Sequence, residues 1–337
     1  LSLFFSYFFN LNFEFNLSFA VSIAGFIQLI FLVFVTKFYY KPTINFKINL
    51  NPRVKFFFKK LLPSIFSSGV TQINILIGTI IASFESGAVS YLYYADRVYQ
   101  INLAIAGIAI GTVALPVLSN KIKSGDQFEI NNIQNKSLEL SLLLSIPAAF
   151  GLLIASIEIV NALFGYGSFK EGDILLTAKA LYFFGLGIPA FSLVKILSNF
   201  FFARDNTKTP FYISVITVAV NVLISLSFFN SYGFVIIPIA TSISAWFAVL
   251  MYFILLIKLK YFQSSLDFLK NCLKILISTL VMSVLLIFFL NIFEDKLIYS
   301  NNFKSIYLIM IVVVSAGAYL LIAKILGVFK IKNFKIN

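Results

Sequence analysis

The chain of 337 residues contains no histidine and a single cysteine, Cys272. Imidazole catalysis and histidine-ligated metals are therefore excluded, and one thiol can form neither an internal disulfide nor a thiolate cluster. Charge is scarce, at 12% of residues, and skewed: 13 acids stand against 26 lysines and arginines, a net charge of +13. There is no Gly-rich phosphate loop, no nucleophile elbow and no carboxylates spaced to pair inside a helix. ATP-driven pumping and hydrolysis within a membrane lack the residues they need, and no cofactor or metal is expected. Cys272 borders a basic loop, where an inert filler and a site of reversible palmitoylation are the two readings.

What is abundant is apolar surface. Hydrophobic residues make up 60% of the chain and the mean hydropathy is +0.96, with charge-free windows as long as a bilayer is thick. Such windows cover Leu17 to Thr36, Leu61 to Phe84, Ile275 to Phe293 and Ser305 to Ala323. A longer one, Thr209 to Ile257, holds two helices, with Asn230, Ser231 and Gly233 supplying the turn between them. Gly87 to Asn120, Ser137 to Phe164 and Ile174 to Ala203 carry a few charges and complete a set of nine spanning helices. Leu1 to Phe9 reads as the tail of an earlier helix, so the sequence is expected to be part of a longer chain.

Lys and Arg cluster in alternate loops, over 37–60, 121–136, 204–208, 258–274 and 324–335. The intervening loops hold only Lys170, Lys296 and Lys304 among the acids Glu14, Glu85, Glu171, Asp173, Glu294 and Asp295. Because short cytoplasmic loops retain positive charge, this alternation places the C-terminus in the cytoplasm. The surplus charge is thus explained by orientation, with anionic lipid headgroups as partners and no need for nucleic acid. The longest loop, 37–60, contains an alternating stretch INFKINL (44–50) and a basic-aromatic stretch VKFFFKKLLP (54–63), the latter read as an interfacial segment with snorkelling lysines.

Arg97, in YYADRVYQ (93–100), precedes the apolar run Ile101 to Leu118. An arginine at the centre of a spanning helix costs about 2.5–3.5 kcal/mol on insertion scales, so it is kept where it faces a protein interior or a watery cavity. A substrate contact is the default reading, and an ion pair with a buried carboxylate is the structural alternative. Asp96 and Arg97 are adjacent, so on a helix they point about 100° apart and pair poorly with each other. Asp96 either caps or pairs with another helix or lines the cavity. Lys195 either faces the cavity, pairs with Asp96 or snorkels to an edge. Lys179, Glu139 and Glu158 lie near helix ends and read as interfacial. Gly107 and Gly111 form a close-packing GxxxG, with Pro116 beyond it. Gly185, Gly187 and Pro189 mark a site of bending or packing, and ARDNTKTP (203–210) reads as a helix end, a basic turn and a helix start at Pro210.

Three stretches carry a resemblance: LYYADRVYQINLAIAGIAIGTVALPVLS (92–119), FGLGIPAFSLVKILSNFFFARDNTKTP (184–210) and KKLLPSIFSSGVTQIN (59–74). In this order they resemble the MurJ (MviN) family of lipid II flippases, within the multidrug/oligosaccharidyl-lipid/polysaccharide exporter superfamily. The resemblance implies an all-α polytopic bundle of two six-helix lobes followed by two extra helices bordering a lipid-facing groove. Here 1–36 would end the first lobe, 37–60 would be a cytoplasmic connector and 61–257 the complete second lobe. A loop at 258–274 would lead to the extra pair within 275–323 and to a basic tail at 324–337.

By resemblance, Arg97 lines the cavity and meets the pyrophosphate of a lipid-linked peptidoglycan precursor, a role suited to a forked guanidinium that stays charged. Asp96 and Lys195 are the further candidates for cavity lining. Some family members bind sodium through acidic residues of the second lobe, but here Gly78 and Ser225 stand where those carboxylates are expected. Only the neutral oxygens of Asn221 and Thr241 remain, which argues against a strong sodium site. The expected function is a flippase for lipid II, working as a monomer in the bacterial inner membrane. The alternatives are a flippase for another lipid-linked glycan, or a drug exporter, for which acidic cavity residues rather than Arg97 would be expected.

Overall fold

The computed structural model describes residues 13–40 and 51–328. The chain divides into two compact units, residues 1–57 and 58–337. In the first, helix α1 (Phe13–Tyr39) exposes large apolar side chains such as Phe26, Leu29, Val33 and Phe34 around its surface, the property of a segment solvated by lipid.

Helix α2 (Pro52–Ala82) starts in the first unit and runs on into the second. Asn51 caps it, its side-chain oxygen accepting from the Val54 N–H at 2.9 Å, with Pro52 at the first position. The basic-aromatic stretch read as interfacial opens this helix, while INFKINL lies outside the described residues.

The second unit continues with α3 (Ala88–Leu103), a π turn (Ala104–Ala109), α4 (Ile110–Ser124), α5 (Gln127–Ile154), α6 (Ser156–Phe164) and α7 (Glu171–Phe202). Helices α8 (Lys208–Tyr232), α9 (Ile236–Lys258), α10 (Leu266–Ile292) and α11 (Lys304–Ile325) complete it, and no strand occurs among the described residues. Seven helical segments are long and apolar enough to cross a membrane, one of them being the α8–α9 pair. The turn expected around Gly233 is present: Gly233 adopts φ 61° and a short 3-10 segment, Gly233–Val235, leads into α9. Glu85, in the turn after α2, accepts the Phe234 N–H at 2.7 Å and ties that turn to the α8–α9 hairpin.

Two spans differ from expectation. The run 137–164 is two helices: α5 starts ten residues earlier, where Gly125 and the Asp126 N-cap end α4 and start it, and the path breaks at Ala155 (φ −113°, ψ 26°). No proline or glycine marks Ala155, so nothing local announces the break. The run 87–120 extends to Ser124 and contains the π turn, in which one extra residue is wound into an otherwise continuous helix.

Helix α7 is the central element, packed against α3, α5 and α9. Pro189 does not interrupt it. Helix α9 supplies donors to nearby carbonyls, Ser242 Oγ to Phe183 at 2.7 Å and Trp246 Nε1 to Leu186 at 3.0 Å. At the α3–α4 contact, a Cβ on Gly107 would lie 3.1 Å from Ser192 Cα, and Asn199 Nδ2 donates to the Gly111 carbonyl at 2.9 Å, so the GxxxG is a backbone approach to α7. Helix α10 packs on α5 and α11, and the Tyr319 hydroxyl of α11 donates to the Leu143 carbonyl of α5 at 2.6 Å.

Lys304, counted with the acid-bearing turns, is 1% exposed. Its Nζ donates to the carbonyls of Gly165 (2.6 Å) and Tyr299 (2.8 Å) and lies over the rings of Tyr166 and Tyr299 at 4.3 and 4.7 Å. It joins the turn after α6 to the start of α11.

Candidate functional site

The second unit carries a half-open cavity of about 500 Å³ walled by α2, α3, α7, α8 and α9. Most of the wall is apolar, including Leu92, Phe184, Phe191, Val194 and Ile237. Among the polar groups that reach it are Asn74 on α2, Asp96 and Gln100 on α3, Lys195 on α7, Asn221 on α8 and Thr241 and Ser244 on α9. An apolar pocket with a small number of placed polar groups is the usual form of a ligand site.

On α3 the wall is a helical stripe at three- and four-residue spacing, Val89, Leu92, Tyr93, Asp96, Tyr99, Gln100 and Leu103. Asp96 is half-buried and accepts from the Gln100 amide and the Tyr99 hydroxyl, one turn along its own helix, rather than from another helix. Tyr99 in turn packs between Phe184 and Phe191 of α7, with ring centroids 4.7 and 5.3 Å away, which fixes the rotation of α3 against the central helix.

Arg97 is one position off this stripe. It is exposed, it is absent from the cavity wall, and its guanidinium carbon lies 4.7 Å from the centroid of Tyr93, whose ring does line the cavity. Among the described residues it forms no ion pair with Asp96. Lys195 lines the cavity beside the Gly107 contact and is not ion-paired with Asp96. The fold thus brings Asp96 and Lys195 to one cavity and leaves Arg97 next to it.

Gly78, Asn221 and Thr241 also meet in this cavity. The Asn221 amide donates to Thr241 Oγ1 at 3.1 Å and to Ser244 Oγ at 3.4 Å, and the Thr241 hydroxyl donates to the Ile237 carbonyl at 2.7 Å. Ser225, 1% exposed, lies one turn beyond Asn221 with its hydroxyl unpartnered and does not reach the wall. No cluster of three acidic, cysteine or histidine side chains suited to a metal is formed among the described residues. The donors are thus neutral amides and hydroxyls that bond to one another. Tyr93, Tyr99, Gln100 and Asn74 are cavity residues that motif reading passed over, although the polar-aromatic stripe on α3 was legible as helical spacing around Asp96.

Residues 1–321 match the family model described as lipid II flippase MurJ. Probable lipid II flippases MurJ from Rhizobium meliloti (strain 1021) and Rickettsia prowazekii (strain Madrid E) are 39% and 40% identical over 237 and 228 residues. Those matches cover 70% and 67% of this chain but 44% of each relative, so the chain spans less than half the length of these two. A solved lipid II flippase MurJ in an inward closed conformation has a TM-score of 0.67 and 28% identity, over 83% of this chain and 57% of that one. An outward-facing multidrug resistance MATE family transporter of the MOP superfamily shares the fold, with a TM-score of 0.52 and 19% identity over 79% of this chain and 61% of that one. A helical bundle with spans of membrane length, a mixed-charge cavity and these matches together establish that the chain belongs to the lipid II flippase MurJ family.

Proposed function

We propose that this chain is part of a flippase that carries a lipid-linked pyrophosphate glycan, lipid II by family, from the cytoplasmic to the outer leaflet of the bacterial inner membrane. On this reading α1 ends the first lobe, residues 61–257 form the second and α10 and α11 are the extra pair. The C-terminus is cytoplasmic and the protein acts as a monomer. No covalent bond changes; the work is binding and release during alternating access.

The observation that carries the reading is the state of Arg97. It is held over Tyr93 beside the cavity, exposed and without a carboxylate partner. A guanidinium in a spanning helix that is not locked into an ion pair is suited to phosphate oxygens, which it meets in forked, charge-assisted hydrogen bonds. Neutral donors at Asn221 and Thr241 favour coupling to something other than a tightly held sodium ion, such as the membrane potential or consumption of the product.

The test is complementation. The chain, joined to the N-terminal helices of a full-length family member, is expressed in a cell depleted of its own lipid II flippase. Growth is expected from the parent, and loss of growth from an equally expressed Arg97→Ala. Growth with both removes Arg97 from the mechanism, and failure of a well-inserted parent moves the substrate to another lipid-linked glycan.

A further inference from the structure

The cavity holds one carboxylate and one ammonium that do not pair. Asp96 accepts from Tyr99 and Gln100 of its own helix and lies in the field of the adjacent Arg97, with which it forms no ion pair, while Lys195 faces the same space from α7. Opposite charges inside a membrane bundle are stabilised by pairing, because each alone is costly to desolvate. A bundle that holds both on one cavity wall without joining them has left room for a guest that satisfies both.

We propose that this cavity binds a zwitterionic group, its ammonium at Asp96 and its anionic oxygens at Lys195. At the ammonium end the Asp96 carboxylate supplies the charge, held in place by Tyr99 and Gln100. The apolar walls from Leu92, Phe184 and Phe191 lower the local dielectric and strengthen both contacts. A cavity of about 500 Å³ has room for an amino-acid-sized moiety or a phospholipid headgroup. Arg97 lies outside this wall, so the zwitterion site and the pyrophosphate contact are separate elements of one surface.

The shared chemistry has two sources. One is an amino-acid terminus of the transported molecule's peptide, which rests on the function proposed above. The other is a zwitterionic phospholipid of the bilayer, which does not.

The experiment measures thermal stabilisation and binding of the purified chain by alanyl-alanine, by its N-acetyl and C-amide derivatives, and by short-chain phosphatidylethanolamine with its N-acetylated form. The zwitterions are expected to bind, and blocking either charge is expected to weaken binding about tenfold or more, the loss of one charge-assisted contact. Asp96→Asn is expected to abolish the difference between alanyl-alanine and its N-acetyl form, and Lys195→Gln the difference from its C-amide. Binding of the dipeptide alone assigns the site to the transported molecule, and binding of the lipid alone assigns it to the bilayer even if complementation fails. The proposal is overturned if neither zwitterion binds, or if the N-acetyl form binds the unaltered chain as well as the dipeptide does; neither result depends on a variant folding.

Discussion

Lys304 and Glu85 make the same point at the scale of the residue: each is a charge in a short turn whose partners are remote in sequence. The Lys304 ammonium serves the Gly165 carbonyl 139 positions away, and the Glu85 carboxylate serves the Phe234 N–H 149 positions away. Lys304→Met is expected to lower the thermal midpoint of the detergent-solubilised protein. It leaves two carbonyls without their donor, and each buried unsatisfied group costs about 1–3 kcal/mol. An unchanged midpoint would mean that water replaces the ammonium there. Glu85→Ala is expected to lower the midpoint as well and Glu85→Gln to restore most of it, since the amide oxygen can still accept; equal loss in both would make the charge rather than the hydrogen bond responsible. Counting charge by loop put both residues in the acid-bearing turns and gave no sign that Lys304 is buried. Burial of a lysine is decided by what packs over it, here Tyr166 and Tyr299.

Among elements, the helix running from Ala88 to Ser124 shows how a small irregularity sets the site. The π turn at Ala104–Ala109 carries one residue more than an α turn, which rotates α3 by about 100° relative to its register in an uninterrupted helix. That rotation is why Asp96 occupies the cavity wall and Arg97 the strip beside it. The six residues AIAGIA give no warning, because apolar residues that wind an α turn wind a π turn equally well. What holds the helix there is the approach to α7 at Gly107 and Gly111. Gly107→Val is expected to destabilise the protein by about 1–3 kcal/mol, as overpacking does, since its Cβ would press on the Ser192 backbone. Gly151→Ala in α5, with nothing within 4 Å of the new methyl, is expected to be neutral or to stabilise by up to about 1 kcal/mol. Denaturant or thermal unfolding in one detergent compares the pair, and equal effects would remove close packing as the role of Gly107. The break at Ala155 was illegible for the same reason as the π turn, whereas the turns at Gly125–Asp126 and Gly233 were written in residues that favour them.

For the whole molecule, alternation of basic loops with acidic ones predicts an orientation that fusions can read. A fluorescent protein joined after Asn337 is expected to be bright, an alkaline phosphatase there to be inactive, and the same phosphatase inserted near Asp295 to be active. The opposite pattern would invert the topology and with it the direction of transport proposed. Composition and loop charge were sufficient for the membrane class, the placement of most spans and the expected orientation, because lipid solvation and charge retention act on each segment separately. The motifs around Arg97, Lys195 and Pro210 were sufficient for the family. Which side chains share the cavity was decided by tertiary structure alone. Helix rotation is fixed by contacts such as Tyr99 between Phe184 and Phe191, and those contacts join segments that the sequence holds more than eighty positions apart.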